Sequence, residues 1–184
     1  MNIFILSEQI NPQAHYAQQA EFHIDKHVVK MIAESVQIAV TVLSNLPEIE
    51  VGVFPCKPLG KGHAKHPCVE WASASLTNLN YVICLARALC KEHQYRYPLS
   101  PEHAYSAWIT HAWYRMATLG YGTTAPLPTS FAVAVKDVSK RSTSVDHLQA
   151  MHTYRRYYFS DKAGFASWKK RQKPVWWILM EETI

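Results

Sequence analysis

The sequence predicts an all-α fold, a compact single-domain helical bundle with long loops that spans residues 1–184. Three observations predict it. Apolar residues recur at helical spacing over long windows, first Ile24, Val28, Met31, Ile32, Val36 and Ala39, then Val69, Ala72, Leu76, Leu79, Val82, Ile83, Ala86 and Leu89. Proline and glycine gather in a few connections instead of interrupting those windows. The alternation of strand and helix that builds a doubly wound sheet is missing.

Residues 3–6 read as a short strand or a buried arm, followed by a turn at Asn11-Pro12. A first helix opens near Pro12, pauses between Phe22 and Asp25, and runs to about Ser44, with Asp25 as the expected N-cap and Pro47 closing the element. Residues 47–67 hold four prolines and three glycines, which makes a long connection. Helical periodicity resumes at Cys68 and extends to about Glu92. Another helix is expected from about Glu102 to Thr118, with Pro101 suited to its first turn. Gly120, Gly122, Pro126 and Pro128 then mark a second long loop before Phe131. Ser144 is the candidate N-cap of a helix carrying Leu148, Met151, Tyr154 and Tyr158, and a last short helix is expected from about Asp161 to Arg171, stopping at Pro174.

Composition narrows the function classes. An apolar fraction of 48% excludes a disordered chain, and no run reaches the ~18 apolar residues of a membrane span. The start, Met-Asn-Ile-Phe-Ile-Leu, has no basic leader and turns polar at Ser7, so a cytoplasmic protein is expected. Cys56, Cys68, Cys84 and Cys90 form no CxxC pair, and reduced thiols are the expectation. No glycine-rich strand-loop-helix pattern offers a nucleotide-cofactor site, and no cofactor or metal is assigned. The net charge is +5, and residues 155–173 carry seven cations against the single acid Asp161.

The densest chemistry lies between residues 23 and 37. Helical spacing gathers His23, His27, Lys30, Glu34 and Gln37 into one polar row opposite the apolar stripe. Three readings of that row stand side by side: a solvated face with ordinary Lys30–Glu34 pairing, acid–base chemistry centred on Glu34, and metal binding. His63 and His66 sit in a basic, glycine-rich loop. They suit phosphate or substrate contact, a helix cap at His66, or a metal centre shared with His23 and His27. Near the C-terminus Arg155, Arg156, Lys169, Lys170 and Arg171 interleave with Tyr154, Tyr157, Tyr158, Trp168, Trp176 and Trp177. Such interleaving suits a nucleic-acid groove, with rings stacking on bases and cations on phosphates, and equally suits a closing helix whose rings are core.

Four segments together resemble a known family. Met1-Asn2-Ile3-Phe4, the run from Asp25 to Ile38, His66-Pro67-Cys68-Val69-Glu70-Trp71, and Glu92 with Arg96-Tyr97 look like the pyrimidine dimer DNA glycosylase family in its divergent bacterial and phage branches. The resemblance covers roughly residues 1–97. It implies a helical enzyme that binds duplex DNA, displaces a damaged or modified pyrimidine and cleaves its glycosidic bond through an amine–sugar imine. In the family the amine is the processed N-terminus, uncovered before a small residue such as threonine, where this chain has Asn2. The assisting glutamate falls at Glu34, and Lys30 or Lys26 is a substitute amine.

The resulting expectations are a catalytic group of Glu34, His27, Lys30 and His23, substrate contacts from Asn2, Gln37, His63, His66 and Trp71, and DNA-backbone contacts from Arg155, Arg156, Lys169, Lys170 and Arg171. Two alternatives remain open. One is a phage-type enzyme that hypermodifies DNA thymine by displacing pyrophosphate from a modified base; the other is a non-catalytic DNA-binding accessory protein.

Overall fold

The computed structural model describes residues 1–183, the side chain of Lys61 excepted. Eight α-helices order along the chain as α1 (Pro12–Phe22), α2 (Asp25–Leu43), α3 (Lys61–Ala64), α4 (Pro67–Ser73), α5 (Leu76–Arg96), α6 (Ser106–Thr118), α7 (His147–Lys162) and α8 (Val175–Glu181). Between α6 and α7, β1 (Phe131–Val133) and β2 (Ser142–Val145) form an antiparallel pair. The two longest helices, α2 and α5, lie against each other, and α1, α4 and α6 pack around them. The β-pair rests on α4 and α7. No described helix is long and apolar enough to cross a membrane, and all four thiols are free.

The segment before α1 explains how the chain start is held. Ile3, Phe4, Ile5 and Leu6 are at most 2% exposed and lie in no helix or strand. Their backbone polar groups must still be satisfied, and side chains satisfy them. Gln19 Oε1 accepts from the Leu6 and Ser7 amides, each at 2.8 Å, while its amide nitrogen donates to the Phe4 carbonyl. The Arg155 guanidinium donates to the Leu6 carbonyl, and His147 Nε2 bonds the Ser7 carbonyl at 2.8 Å.

A buried charge cluster fixes the break between α1 and α2. Arg96, with a fully buried side chain, donates to Asp25 at 2.9 Å, to Glu92 at 2.7 Å, and to the carbonyls of His23 and Glu21 at 2.9 and 2.8 Å. Those two carbonyls flank the turn at which helix bonding stops, so the guanidinium takes over as their donor. Arg171 completes the cluster with bonds of 3.0 and 2.8 Å to the Glu92 carboxylate. Burial alone would raise the Glu92 carboxyl, but the hydrogen bonds from Arg171 and Arg96 hold it below its ordinary value.

Several elements differ from the sequence reading. The fold is mostly helical but not purely so, because the β-pair interrupts it. The segment 3–6 is a buried arm, not a strand. Ile24, without a side-chain cap, precedes α2, and the Asp25 carboxylate instead receives the Lys169 amide and Arg96. The helix expected from Cys68 to Glu92 is broken at Ala74-Ser75, where Ser75 Oγ accepts from the Asn78 amide and starts α5. The next helix begins at Ser106, well past Pro101. Asp146, not Ser144, caps α7, since Ser144 belongs to β2. Residues 166–171 are not helical, and Pro174 precedes a helix where a stop was expected.

Replacing Arg96 by Met should lower unfolding free energy by about 3–5 kcal/mol, because it strips a buried carboxylate pair of its shared cation. Urea unfolding with an unchanged m-value measures this. Arg96→Lys should recover only part of the loss, since one ammonium cannot reproduce the four-way fork.

Candidate functional site

Glu34 sits on α2 two and a half helical turns from Asp25, at the point where the buried arm brings the chain start across that helix. Its carboxylate is 13% exposed and accepts from the Asn2 amide at 2.9 Å. The Met1 α-amine lies 3.9 Å from the same carboxylate oxygen, and Lys30 Nζ lies 3.3 Å from the other. A carboxylate is thus flanked by two primary amines of different kind. Met1 has a 7% exposed side chain and is anchored by the arm, whereas Lys30 is 66% exposed at the end of a flexible stem.

Three neighbours enclose this corner. His66 caps α4, its Nδ1 accepting from the Cys68 amide at 3.2 Å, which leaves Nε2 as the protonated nitrogen. Burial lowers its pKa to about 4, helped by the Met1 α-amine, Arg141 and His63, so it is a neutral imidazole near pH 7. The buried Tyr154 hydroxyl bonds the Ala132 carbonyl and Ala134 amide at 3.1 and 3.0 Å and lies 3.4 Å from Asn2 Oδ1. Cys68 is wholly buried beside the arm, and burial pushes its thiol up to about 12. The thiol is therefore no nucleophile near neutrality.

The polar row read from helical spacing is not continuous. His23 lies in the break before α2, fully buried, with Nδ1 2.6 Å from the Gln19 carbonyl. His27 points into the core, with Nδ1 2.6 Å from the Tyr158 hydroxyl and its ring stacked on Phe4 at 4.9 Å. Only Lys30, Glu34 and the half-buried Gln37 face outward from the row. His63 is exposed on α3. Trp71 is 2% exposed, donates to the Ser130 carbonyl at 2.7 Å and stacks on Phe131, which places it in the core and away from any open surface. His23, His27, His63 and His66 do not assemble: no group of three or more candidate metal ligands occurs among the described residues.

The C-terminal cations divide. Arg155 is half-buried, held by the Leu6 carbonyl and Glu8, and its guanidinium lies over Trp176. Arg171 is engaged by Glu92 and Glu21, Lys170 Nζ donates to the Tyr95 carbonyl, and Lys169 Nζ lies over Tyr97. Arg156 is exposed and lines a cavity of about 560 Å3 between the β1–β2 connection and α7, together with Lys136, Lys140 and the acids Asp137 and Asp161. No sequence signal pointed to Arg141, whose Nε donates to the Val135 carbonyl at 2.9 Å while its charge acts on His66. Gln19 was equally silent, since its partners lie 12 to 15 residues away, and the bonds of the Tyr154 hydroxyl to Ala132 and Ala134 were not readable from its place among the rings.

Comparison with family profiles, curated proteins and solved structures finds no match for this chain.

Buried histidines make a pH prediction. An unfolded imidazole takes up a proton near pH 6.5, but burial lowers His15 and His23 to about 4 and His27 to about 3. The unfolded chain therefore binds more protons below pH 6.5. Stability is complete above that value and falls as pH drops toward 4, by about 1.4 kcal/mol per pH unit for each such histidine. Urea midpoints measured from pH 7 to 4 should decline steeply, and His15→Gln should flatten the decline.

Proposed function

We propose that this chain is a DNA base-processing enzyme that cleaves the N-glycosidic bond of a damaged or modified pyrimidine, with the chain's α-amine as nucleophile and Glu34 as its proton acceptor. The observation that carries this reading is the 3.9 Å separation of the Met1 nitrogen from the Glu34 carboxylate. The chain start is held in place while Lys30 is 66% exposed on a flexible stem, which favours the chain start over Lys30 as attacking amine. The anchored arm adds positional order, which counts heavily when two groups must meet at one carbon.

The neutral amine forms a bond to sugar C1′ as the glycosidic bond breaks, and the base leaves with the bonding electrons and takes up a proton. Glu34 removes a proton from the attached nitrogen and delivers it to the ring oxygen O4′ as the sugar opens to an imine. Water then hydrolyses the imine and restores the amine, or loss of a C2′ proton expels the 3′ phosphate and cuts the strand. Lys30 and the neutral His66 lie beside this path, Lys30 as a cation for phosphate and His66 as a hydrogen-bond donor. His23 and His27 act through packing of the arm.

DNA as partner is supported by the exposed cations along the cavity between the β1–β2 connection and α7. Arg156 and Lys136 have no ion-pair partner among the described residues, while Arg155 and Arg171 are held by internal carboxylates. Phosphate contact therefore falls to the Arg156 side of α7.

Glu34→Gln keeps an oxygen to accept the Asn2 amide, so the fold should persist while turnover on damaged or modified duplex DNA falls by roughly 10²–10⁴. Borohydride should trap a covalent DNA adduct, and a short extension ahead of Met1 should abolish it. Turnover without a trapped adduct would favour pyrophosphate displacement on modified thymine instead, and DNA binding without turnover would favour the accessory role.

Affinity for duplex DNA should fall steeply with salt. The paired variant Lys136→Gln, Arg156→Gln should reduce the log–log salt slope by about 2, whereas Lys170→Gln should leave it unchanged. Equal effects from both variants would reject this assignment of the surface.

A further inference from the structure

A cavity of about 490 Å3 opens between α1 and α5, bounded also by Thr123 and Arg171, and it contains neither Glu34 nor any residue of the arm. Ala17, Ala20 and Ala88 line it, small side chains that leave room between two packed helices. Tyr16 and Cys84 complete the wall and are 3% and 1% exposed.

Two features of the cavity wall lack partners inside the protein. The Tyr16 hydroxyl is buried without a hydrogen bond and has only the weakly accepting Cys84 thiol beside it. Burial pushes that thiol up to about 12, so no thiolate forms to accept the proton. The hydroxyl is sealed in the wall with that thiol and does not open on the cavity. The second feature is Arg87. Its guanidinium lies 3.8 Å from the centre of the Trp113 ring and is half-buried, yet it has no carboxylate partner among the described residues. Lys91, one turn further along α5, lines the same cavity and is likewise unpaired among the described residues.

The acids nearby do not neutralise them. Glu92 is bound by Arg96 and Arg171, and Glu21 by Arg171. Stacking on Trp113 fixes the plane of the Arg87 fork, and a fixed fork beside an ammonium suits a dianionic, tetrahedral oxyanion better than a single carboxylate. The volume exceeds what a bare anion fills and lies in the range of small-molecule sites.

We propose that this cavity binds a small organic phosphate. The phosphoryl group lies between Arg87 and Lys91, and the apolar part of the ligand covers the alanine floor. This inference stands independently of the reading of Glu34.

Calorimetric titration of the full chain with phenyl phosphate, inorganic phosphate and phenol tests it. Phenyl phosphate should bind saturably and at least tenfold more tightly than either fragment. Lys91→Gln and Arg87→Gln should each weaken it at least tenfold. Absence of saturable binding at millimolar phenyl phosphate would overturn the proposal, as would equal binding of inorganic phosphate or of phenol. Because Lys91 is exposed, its variant keeps the test open even where Arg87→Gln perturbs packing; unchanged affinity in a folded Lys91→Gln protein would also overturn it.

Discussion

Burial of the arm at residues 3–6 is the constraint on which the rest depends. Each large apolar side chain that it takes from water contributes about 1.5–3 kcal/mol, so this stretch cannot remain outside. Its backbone, however, enters the core without a ladder of its own. Amides and carbonyls that go in need donors and acceptors from elsewhere, and Gln19 and Arg155 serve Phe4 and Leu6 while Glu34 and His147 serve the flanking Asn2 and Ser7. Glu34 is therefore a structural acceptor for the Asn2 amide before it is anything else. The same requirement brings the α-amine to its carboxylate.

The buried ions form the second constraint and explain where the basic tract of the sequence goes. Arg96 and Arg171 convert two acids and two loose helix-end carbonyls into one closed set that joins α1, α2, α5 and residues 167–171. Such a cluster contributes more to a unique arrangement than to net stability, because desolvation offsets most of the attraction. Its consequence is electrostatic. Arg155 and Arg171, which a composition count assigns to a surface, are paired with carboxylates of the protein, whereas Arg156 faces outward from α7.

Helical periodicity was legible because it is local: the apolar face of α2 and the pause near residues 22–25 could be read from the sequence, and a helix was expected from Cys68 to about Glu92, where the observed helix breaks at Ala74-Ser75 and α5 runs on to Arg96. The orientation of His23 and His27 was not. A helical wheel assumes an unbroken helix, and the extended backbone at His23 and Ile24 resets the phase for everything before Asp25. His27 lies at the edge of the apolar stripe, and its direction is decided by Tyr158, 131 residues away. Pro174 misled for a related reason. Proline ends one helix as readily as it begins another, and only the apolar Val-Trp-Trp-Ile-Leu-Met after it tells the two apart.

Glu34 was identified from its register and from the family resemblance, but the reason it matters is geometric and lay outside both. Spacing places it one turn from Lys30, a pairing found on countless solvated helices. The arm adds a second amine from the opposite side, and that amine differs in burial and freedom. An ammonium on a four-carbon stem must lose rotamer freedom to hold any one position, about 2 kcal/mol for a lysine. The chain start has already lost its freedom through the folding of residues 3–6. Under the proposed chemistry, catalysis and stability then draw on the same contacts: whatever loosens the arm releases the nucleophile as well as the core. That coupling is why the polar residues serving the arm, Gln19 and His147 among them, belong to the description of the site although none of them touches its carboxylate.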